Sequence, residues 1–379
     1  MTATVVRNLT KTEKMKMTDK QIKPRQLMLF FIAFLPLTKF FTLPKAGAQI
    51  ANEDFWISVF ICILFDFIAV IFLLLASRKH NASFYEILSA NFGKSGANVI
   101  FIFYFVYFIL KSFSPIYEQF NFLQITLYET APSSIKYFPF LLIAIYLCSK
   151  KLRTIGRLSD ILWLITLIGT FLLFTLALSD VDFGSILPIG ANGVKIFKGS
   201  YYLLNWFTDA SYLLFMLGSF KLDKKTFYKP ILGFLGHTLL TVGFCIVFYC
   251  VFIYISGREL YAIAEISKYS NVINSIGRFD YMAIFCLLIP HTVSIILPLY
   301  FASNILITIF GEKYKIVIST IVCLIVYIPL VYLNSYVVGI LDFIHIYMTP
   351  LVFILGNVFP CFVLLMKKPK GAINELYSG

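Results

Sequence analysis

Charged residues are scarce in this chain of 379 residues, because Asp, Glu, Lys and Arg together make up only 13% of it. Soluble domains average roughly 25% charged and about 45–50% apolar residues, whereas apolar residues here reach 59%. A soluble enzyme, a secreted disulfide scaffold and a disordered regulator are therefore excluded. The composition indicates an all-α integral membrane protein.

Motifs for catalysis and for metal binding are also missing. The seven cysteines lie inside apolar stretches and none has CxxC spacing, so they are interpreted as small buried hydrophobic residues. The chain lacks the HExxH, GxxxxGK[ST] and GxSxG patterns of metalloproteases, phosphate-binding loops and hydrolases. We therefore expect no enzymatic activity, no metal site and no cofactor.

Long apolar windows are what the sequence does contain. A helix needs roughly 20 apolar residues to cross a bilayer core, and ten such windows occur. Residues 1–25 are predicted to be a disordered arm, 26–366 a single transmembrane domain and 367–379 a tail. The predicted spans are 26–50, 55–76, 97–117, 136–149 (short), 158–178, 196–219, 230–255, 280–309, 316–334 and 346–366.

Basic residues set the predicted orientation in the membrane. The net charge is +13, and most of the 32 Lys and Arg residues lie in the two terminal segments and in alternate loops. Cytoplasmic loops carry such an excess, so both termini are predicted to be cytoplasmic. The basic residues form short tracts between apolar stretches and no single clustered surface, which argues against a nucleic-acid partner.

The first span contains a candidate break. Pro36 and Pro44 each remove a backbone donor, and Thr38, Lys39 and Thr42 lie between them. Thr42 is placed like an N-cap of a second half-helix that has Pro44 in its first turn. We therefore predict a discontinuous helix; the alternative is a continuous helix kinked at proline.

The sixth span contains a counterpart. Asn205, Trp206, Thr208 and Asp209 interrupt an otherwise apolar run. Breaks at corresponding positions of two halves point to a transporter-type site at the membrane midplane, here a polar chamber for one metabolite. The amino end of the half-helix near Thr42 would hold a carboxylate and Asp209 an ammonium group, which suits a zwitterionic amino acid.

Ionisable side chains at membrane depth are costly and are therefore functional candidates. Lys39 and Asp209 are the strongest, with a purely structural ion pair as the alternative. Asp66 is expected to pair structurally, with either Lys39 or Lys111. The deeply placed residues are Lys39, Asp66, Lys111, Asp209, His237 and His291.

Three of the four histidines raise separate expectations. A neutral buried histidine bonded to a carbonyl is the favoured interpretation of His237 and His291, with a proton relay as the alternative. Asp342 and His345 lie near a predicted span end and are expected at the interface.

Several motifs in order resemble one known family, the B subunits of spore germinant receptors (GerAB type). That family is a branch of the amino acid–polyamine–organocation transporter superfamily. The similarity runs from about Ile22 to Lys368. The similar segments are Lys23-Pro-Arg-Gln-Leu-Met, the run from Phe34 to Pro44, Asp54-Phe-Trp-Ile, Phe84-Tyr-Glu-Ile-Leu, Gly156-Arg-Leu-Ser-Asp160, Asp182 to Pro188, and Arg278-Phe-Asp280.

The resemblance implies a five-plus-five inverted repeat of the LeuT type, with discontinuous helices 1 and 6. It also implies a sensor subunit in the spore inner membrane that binds a germinant beside A-type and lipoprotein C-type subunits. By motif matching, Thr38 falls in the first break, and Thr208 and Asp209 match a small residue followed by an acid. Leu37 replaces the usual glycine, and Lys39 adds a positive charge.

Three functions follow as hypotheses: a germinant-sensing membrane subunit, an ion- or proton-coupled amino acid permease of the same fold, and a structural subunit without a ligand. The first is favoured, in a spore inner membrane or bacterial cell membrane. Structural or gating ion pairs are expected for Arg157 with Asp160 and for Arg278 with Asp280. The predicted ligand-binding residues are Thr38, Lys39, Thr42, Asn205, Trp206, Thr208 and Asp209.

Overall fold

The computed structural model describes residues 22–126, 132–191, 193–269, 280–333 and 336–369. Within these ranges the chain is helical, and β contacts are limited to an isolated bridge between Ile22 and Phe220. The helices are α1 (Pro24–Phe34), α2 (Leu43–Ala51), α3 (Phe55–His80), α4 (Phe84–Thr126), α5 (Ser133–Cys148), α6 (Leu152–Ala177), α7 (Gly193–Leu203), α8 (Ala210–Met216), α9 (Tyr228–Phe252), α10 (Ala262–Tyr269), α11 (Asp280–Phe310), α12 (Lys315–Tyr332) and α13 (Val337–Leu365).

Seven helical stretches of the described chain are long and apolar enough to cross a membrane. They are α4, α6, α9, α11, α12, α13 and the stretch that runs from α2 through α3. Predicted spans 1 and 6 are each divided into shorter helices, and α5 has only 16 residues. The chain is thus an all-helical integral membrane protein, and its arrangement as ten spans stays a prediction.

The long helices expose apolar side chains on their outer faces. On α3, for example, Phe60, Phe65 and Phe72 are exposed, whereas Cys62 and Ala69 are buried. A helix that is apolar all round is typical of a lipid environment, because lipid solvates the outer face and neighbouring helices cover the inner one. The outer faces are therefore assigned to lipid.

Glycine allows two of these helices to touch. Gly233 on α9 lies against the backbone of α1, and a Cβ atom added there would be 2.4 Å from the carbonyl oxygen of Met28. Gly233→Ala should therefore push α9 from α1 and reduce the free energy of unfolding by about 1–3 kcal/mol. Thermal unfolding in detergent measures this.

Gly243, also on α9, is the matched control. A Cβ atom there would meet nothing closer than 3.9 Å, and alanine is the better helix former. Gly243→Ala should therefore unfold at the wild-type temperature or slightly above it. Equal losses in both variants would contradict the assignment of Gly233 to a close helix contact.

Two helices extend beyond their predicted spans. After a kink at Gly93, where φ is 73°, α4 continues to Thr126. The last helix begins at Val337, well before residue 346. Glu118 and His345 consequently lie inside membrane helices and are 6% and 5% exposed. His345 is therefore covered by neighbouring helices, and its expected position near the membrane interface stays a prediction.

Candidate functional site

The first predicted break is present. Helix α1 ends at Phe34 and α2 begins at Leu43, with a 3₁₀ turn over Leu37–Lys39 between them. Pro36 and Pro44 cannot donate to a helical ladder, which explains why one continuous helix does not form. The discontinuous helix is confirmed, and the alternative of a kinked continuous helix is wrong.

The second break separates α7 from α8. A 3₁₀ turn over Leu204–Trp206 is followed by Phe207 in an extended conformation. Thr208 then has a φ of 103°, in the left-handed region that side chains rarely adopt. Backbone strain of this kind persists where surrounding contacts fix it, and it is frequent at functional sites.

Asp66 of α3 fixes the start of α8. Its carboxylate accepts hydrogen bonds from the backbone N–H groups of Thr208 (2.9 Å), Asp209 (2.9 Å) and Ala210 (3.4 Å). With its amide oriented to satisfy both groups, Asn357 also donates to this carboxylate at 3.0 Å. Backbone N–H groups at the amino end of a helix have no partner within the helix, and a carboxylate stabilises them. Asp66 therefore holds the second break open.

Two lysines meet one aspartate between the breaks. Lys39 Nζ donates to Asp209 Oδ2, and Lys111 Nζ donates to Thr208 Oγ1 (2.8 Å) and Asp209 Oδ1 (3.3 Å). The side chains of Lys39 and Asp209 are 1% and 2% exposed. With Asp66, this "ion cluster" of Lys39, Lys111, Asp209 and Asp66 balances two positive against two negative charges.

Aromatic rings shield the two lysines. Lys39 Nζ lies 5.6 Å from the ring centre of Phe207, and Lys111 Nζ lies 4.8 Å from that of Tyr212. Such cation–π contacts favour a cation that has left water. The hydroxyl of Tyr107 donates to Thr208 Oγ1 at 2.8 Å, which further restrains the second break.

The chamber next to the ion cluster is small. Its volume is about 40 Å³, which leaves room for only a few water-sized groups. The expected metabolite-sized chamber is therefore wrong for this conformation, because paired side chains from the two breaks fill most of the space. The lining includes Thr38, Lys111, Ser114, Asn205, Trp206, Tyr212, Ser294, Ile344, His345 and Val352.

Glu118 was missed by the sequence reasoning. Its carboxylate accepts a hydrogen bond from Ser114 Oγ (2.7 Å) and faces the backbone and hydroxyl of Thr42, at the amino end of α2. The indole N–H of Trp206 faces it too without forming a hydrogen bond. The expectation that this helix end is open to a ligand carboxylate is therefore wrong, because a carboxylate of the protein already lies there.

All seven predicted binding residues lie around the two breaks. Thr42 takes the N-cap position of α2, although its side chain makes no capping hydrogen bond. Asn205 donates to His345 O (3.3 Å) and to Thr349 Oγ1 of α13. The placements are Lys39, Thr208 and Asp209 in the ion cluster, Thr38, Asn205 and Trp206 at the chamber, and Thr42 beside Glu118.

The predicted ion pair of Arg157 with Asp160 does not form. Asp160 binds Arg25 (3.0 Å) and Gln26 (2.6 Å) of α1 instead, because α1 packs closely on α6. Arg157 is exposed. Arg278 lies outside the described residues, and Asp280 begins α11.

The two buried histidines have local partners. His291 Nδ1 pairs with Gln119 Oε1 at 2.8 Å, and its ring stacks on Phe41. His237 Nδ1 pairs with Thr241 Oγ1 at 3.2 Å. His291 therefore bonds to a carbonyl oxygen, that of the Gln119 side-chain amide, as the favoured interpretation expects. The Nδ1 partner of His237 is a hydroxyl, so the expected partner type is wrong for that residue. In the described part of the chain, no group of His, Cys, Asp and Glu could hold a metal ion.

Comparison with known families identifies the relatives of the chain. A family model described as spore germination protein matches residues 21–338. The match covers well over half of the chain, so the chain belongs to this family, and the predicted family resemblance is confirmed. No curated protein matches the chain.

Proposed function

We propose that this member of the spore germination protein family is the ligand-binding membrane subunit of a germinant receptor. The ligand is a small zwitterion, in the simplest case an amino acid, and it binds at the ion cluster once the two breaks have moved apart, because the chamber in this conformation is too small for it. In the same proposal the chain forms a five-plus-five inverted repeat in the spore inner membrane, with cytoplasmic termini, beside A-type and C-type subunits.

The observation that carries this proposal is the ion cluster between the two helix breaks. Burying charges costs several kcal/mol per ion in effective terms, and an ion pair often recovers no more than that. Structural needs alone would be met by apolar residues. Charges retained between two interrupted helices are instead typical of a solute pathway.

The charges also indicate the polarity of the ligand. Asp66 covers the amino end of α8 and Glu118 faces that of α2, so a ligand carboxylate has no open helix end to bind. The ligand carboxylate would instead bind Lys111, which lines the chamber, in place of Asp209. The ligand ammonium would then lie toward Glu118, beside Ser114 on the same chamber wall.

Binding to the purified full-length protein tests the proposal. In detergent or nanodiscs, at least one amino acid should raise the unfolding temperature in a saturable manner, because a ligand that binds only the folded state stabilises it. Glu118→Gln should weaken that binding roughly tenfold, as expected for the loss of one charged partner. Saturable binding unaffected in Glu118→Gln and Asp209→Asn would contradict the site.

A permease of the same fold is the second candidate, and a larger cavity close to the ion cluster favours it. This cavity measures about 410 Å³ and reaches Phe215 and Phe301. Phe301 stacks on Phe108 (5.6 Å) and Tyr212 (5.5 Å), and Tyr212 also lines the small chamber. One aromatic layer thus separates the two cavities and could open to a solute.

Uptake into proteoliposomes that contain this chain alone separates the two candidates. A receptor subunit should bind its amino acid without accumulating it. A permease should accumulate it, and Phe301→Ala should then increase passive leak, because it removes part of the aromatic layer. A structural subunit should neither bind nor transport, and Asp209→Ala should leave every germination response intact.

A further inference from the structure

All but the first two residues of the last helix, α13, lie outside the part of the chain that the family model matches. That match ends at residue 338, whereas α13 continues to Leu365. The helix contains two π-type turns, over Ile344–Met348 and Ile354–Val358. Such turns are rare inside α-helices, and those that occur often lie at functional sites, because they turn side chains out of the regular helical register.

Both π-type turns contact the second break. At the first, the ring of His345 stacks on that of Trp206 at 4.2 Å, with an interplanar angle of 24°. At the second, Gly356 approaches Thr208 so closely that an added Cβ atom would lie 2.3 Å from Thr208 Cβ. Asn357 beside it reaches Asp66. Helix α13 is thus fitted to the break that carries Asp209.

Three buried polar atoms at this contact have no hydrogen-bond partner in the described chain. They are Asn205 Oδ1, Trp206 Nε1 and His345 Nδ1. All three residues line the chamber of about 40 Å³. Buried polar atoms are normally satisfied, because an unpaired one retains its full desolvation cost. These atoms therefore indicate where a ligand would form hydrogen bonds.

The chemistry of the three atoms defines the group that fits them. Asn205 Oδ1 can only accept a hydrogen bond, Trp206 Nε1 can only donate one, and His345 Nδ1 does either according to its tautomer. Asn205 and Trp206 are uncharged, and His345 is uncharged too when its ring is neutral. A planar group with one acceptor and one donor satisfies the set, and a carboxamide has both within three heavy atoms.

We propose that His345, Asn205 and Trp206 form a selectivity pocket for a neutral ligand side chain that both donates and accepts hydrogen bonds, such as a carboxamide. This inference rests on the proposed function, because the main charges of the ligand bind at the ion cluster. Helix α13 contributes His345 to this pocket, while the part of the chain that the family model matches contributes Asn205, Trp206 and the ion cluster.

Asparagine and leucine are a suitable pair of probes, because they have nearly the same shape and differ in the carboxamide. The purified full-length protein should bind asparagine at least tenfold more tightly than leucine, since a site with polar partners rejects an analogue that leaves them unpaired. His345→Phe keeps the stack on Trp206 and removes the ring nitrogens. It should reduce the preference for asparagine by about tenfold, through weaker asparagine binding.

Two control variants separate selectivity from general damage. Tyr347→Phe alters an exposed residue of the same π-type turn and should leave both affinities unchanged. Val352→Ala enlarges the chamber without changing its polarity and should leave the preference for asparagine over leucine intact. Circular dichroism and gel filtration of each variant establish that it folds.

The outcomes distinguish this inference from the proposed function. Equal wild-type affinity for asparagine and leucine would overturn the selectivity pocket, as would an equal loss of both in His345→Phe. Binding of alanine but of neither probe would overturn it too, while leaving the ion cluster as an amino acid site. Binding of no amino acid at all would remove the proposed function, and this inference with it.

Discussion

Asp209→Asn should change the affinity for the ligand, whose carboxylate competes with Asp209 for Lys111, and reduce the free energy of unfolding by about 3–5 kcal/mol, the usual cost of removing one partner from a buried ion pair. Asn has the same shape as Asp, so the loss comes from charge. Lys39 and Lys111 would both be left in a buried site with only Asp66 as a counter-charge. Ligand titrations and thermal unfolding of the purified protein measure the two effects.

A double-mutant cycle with Lys39→Met tests whether charge balance is the cause. Either single variant leaves the ion cluster with one unbalanced charge. The double variant Lys39→Met/Asp209→Asn retains one positive charge, on Lys111, and one negative charge, on Asp66, so its net charge is again zero. The double variant should therefore be more stable than the summed losses predict. Its affinity for the amino acid should nevertheless differ from that of the wild type, because Asp209 no longer competes with the ligand for Lys111. Additive losses of stability would contradict a coupled cluster, and wild-type affinity in the double variant would contradict its role in the site.

Charges at membrane depth were the part of the site that the sequence could predict. Lys39 and Asp209 stand out because a charge inside an apolar window is costly wherever the helix finally packs. Pro36 and Pro44 likewise limit the helix whatever surrounds it. These signals are local, and they predicted both breaks and the two residues that meet between them.

Glu118 and His345 could not be found in the same way. Glu118 directly follows the apolar window of its helix, and His345 directly precedes that of its own. Hydropathy does not distinguish a helix end in water from one covered by neighbouring helices. Their burial depends on α4 and α13 extending beyond those windows. Only the packed arrangement brings Glu118 to Thr42 and His345 to Trp206.

Asp66 shows a different limit. An aspartate in an apolar window suggested an ion pair with a lysine. The carboxylate of Asp66 instead mainly accepts hydrogen bonds from backbone N–H groups more than 140 residues away in the chain. Backbone amides become available only where a helix starts, and the start of α8 depends on tertiary contacts. The type of residue was informative, whereas its partner was not.

Asp66→Leu should have the second large effect, because it leaves the N–H groups of Thr208, Asp209 and Ala210 buried without an acceptor. Each unpaired buried group costs about 1–3 kcal/mol, so the total loss should be at least about 3 kcal/mol. Asp66→Asn retains one acceptor oxygen and should lose less. Thermal unfolding gives the order wild type, Asp66→Asn, Asp66→Leu.

Hydrogen exchange at the second break separates this capping role from a general loss of packing. Amides 208–210 should exchange faster in Asp66→Leu, while those of α9 keep their protection relative to global unfolding. Cys62, one turn earlier on the same helix and equally buried, is the matched control. Cys62→Ala removes a buried side chain without touching α8, so amides 208–210 should remain protected. If they exchange equally fast in both variants, Asp66 is one packing residue among others, and the second break is held by the fit of α13 against Thr208.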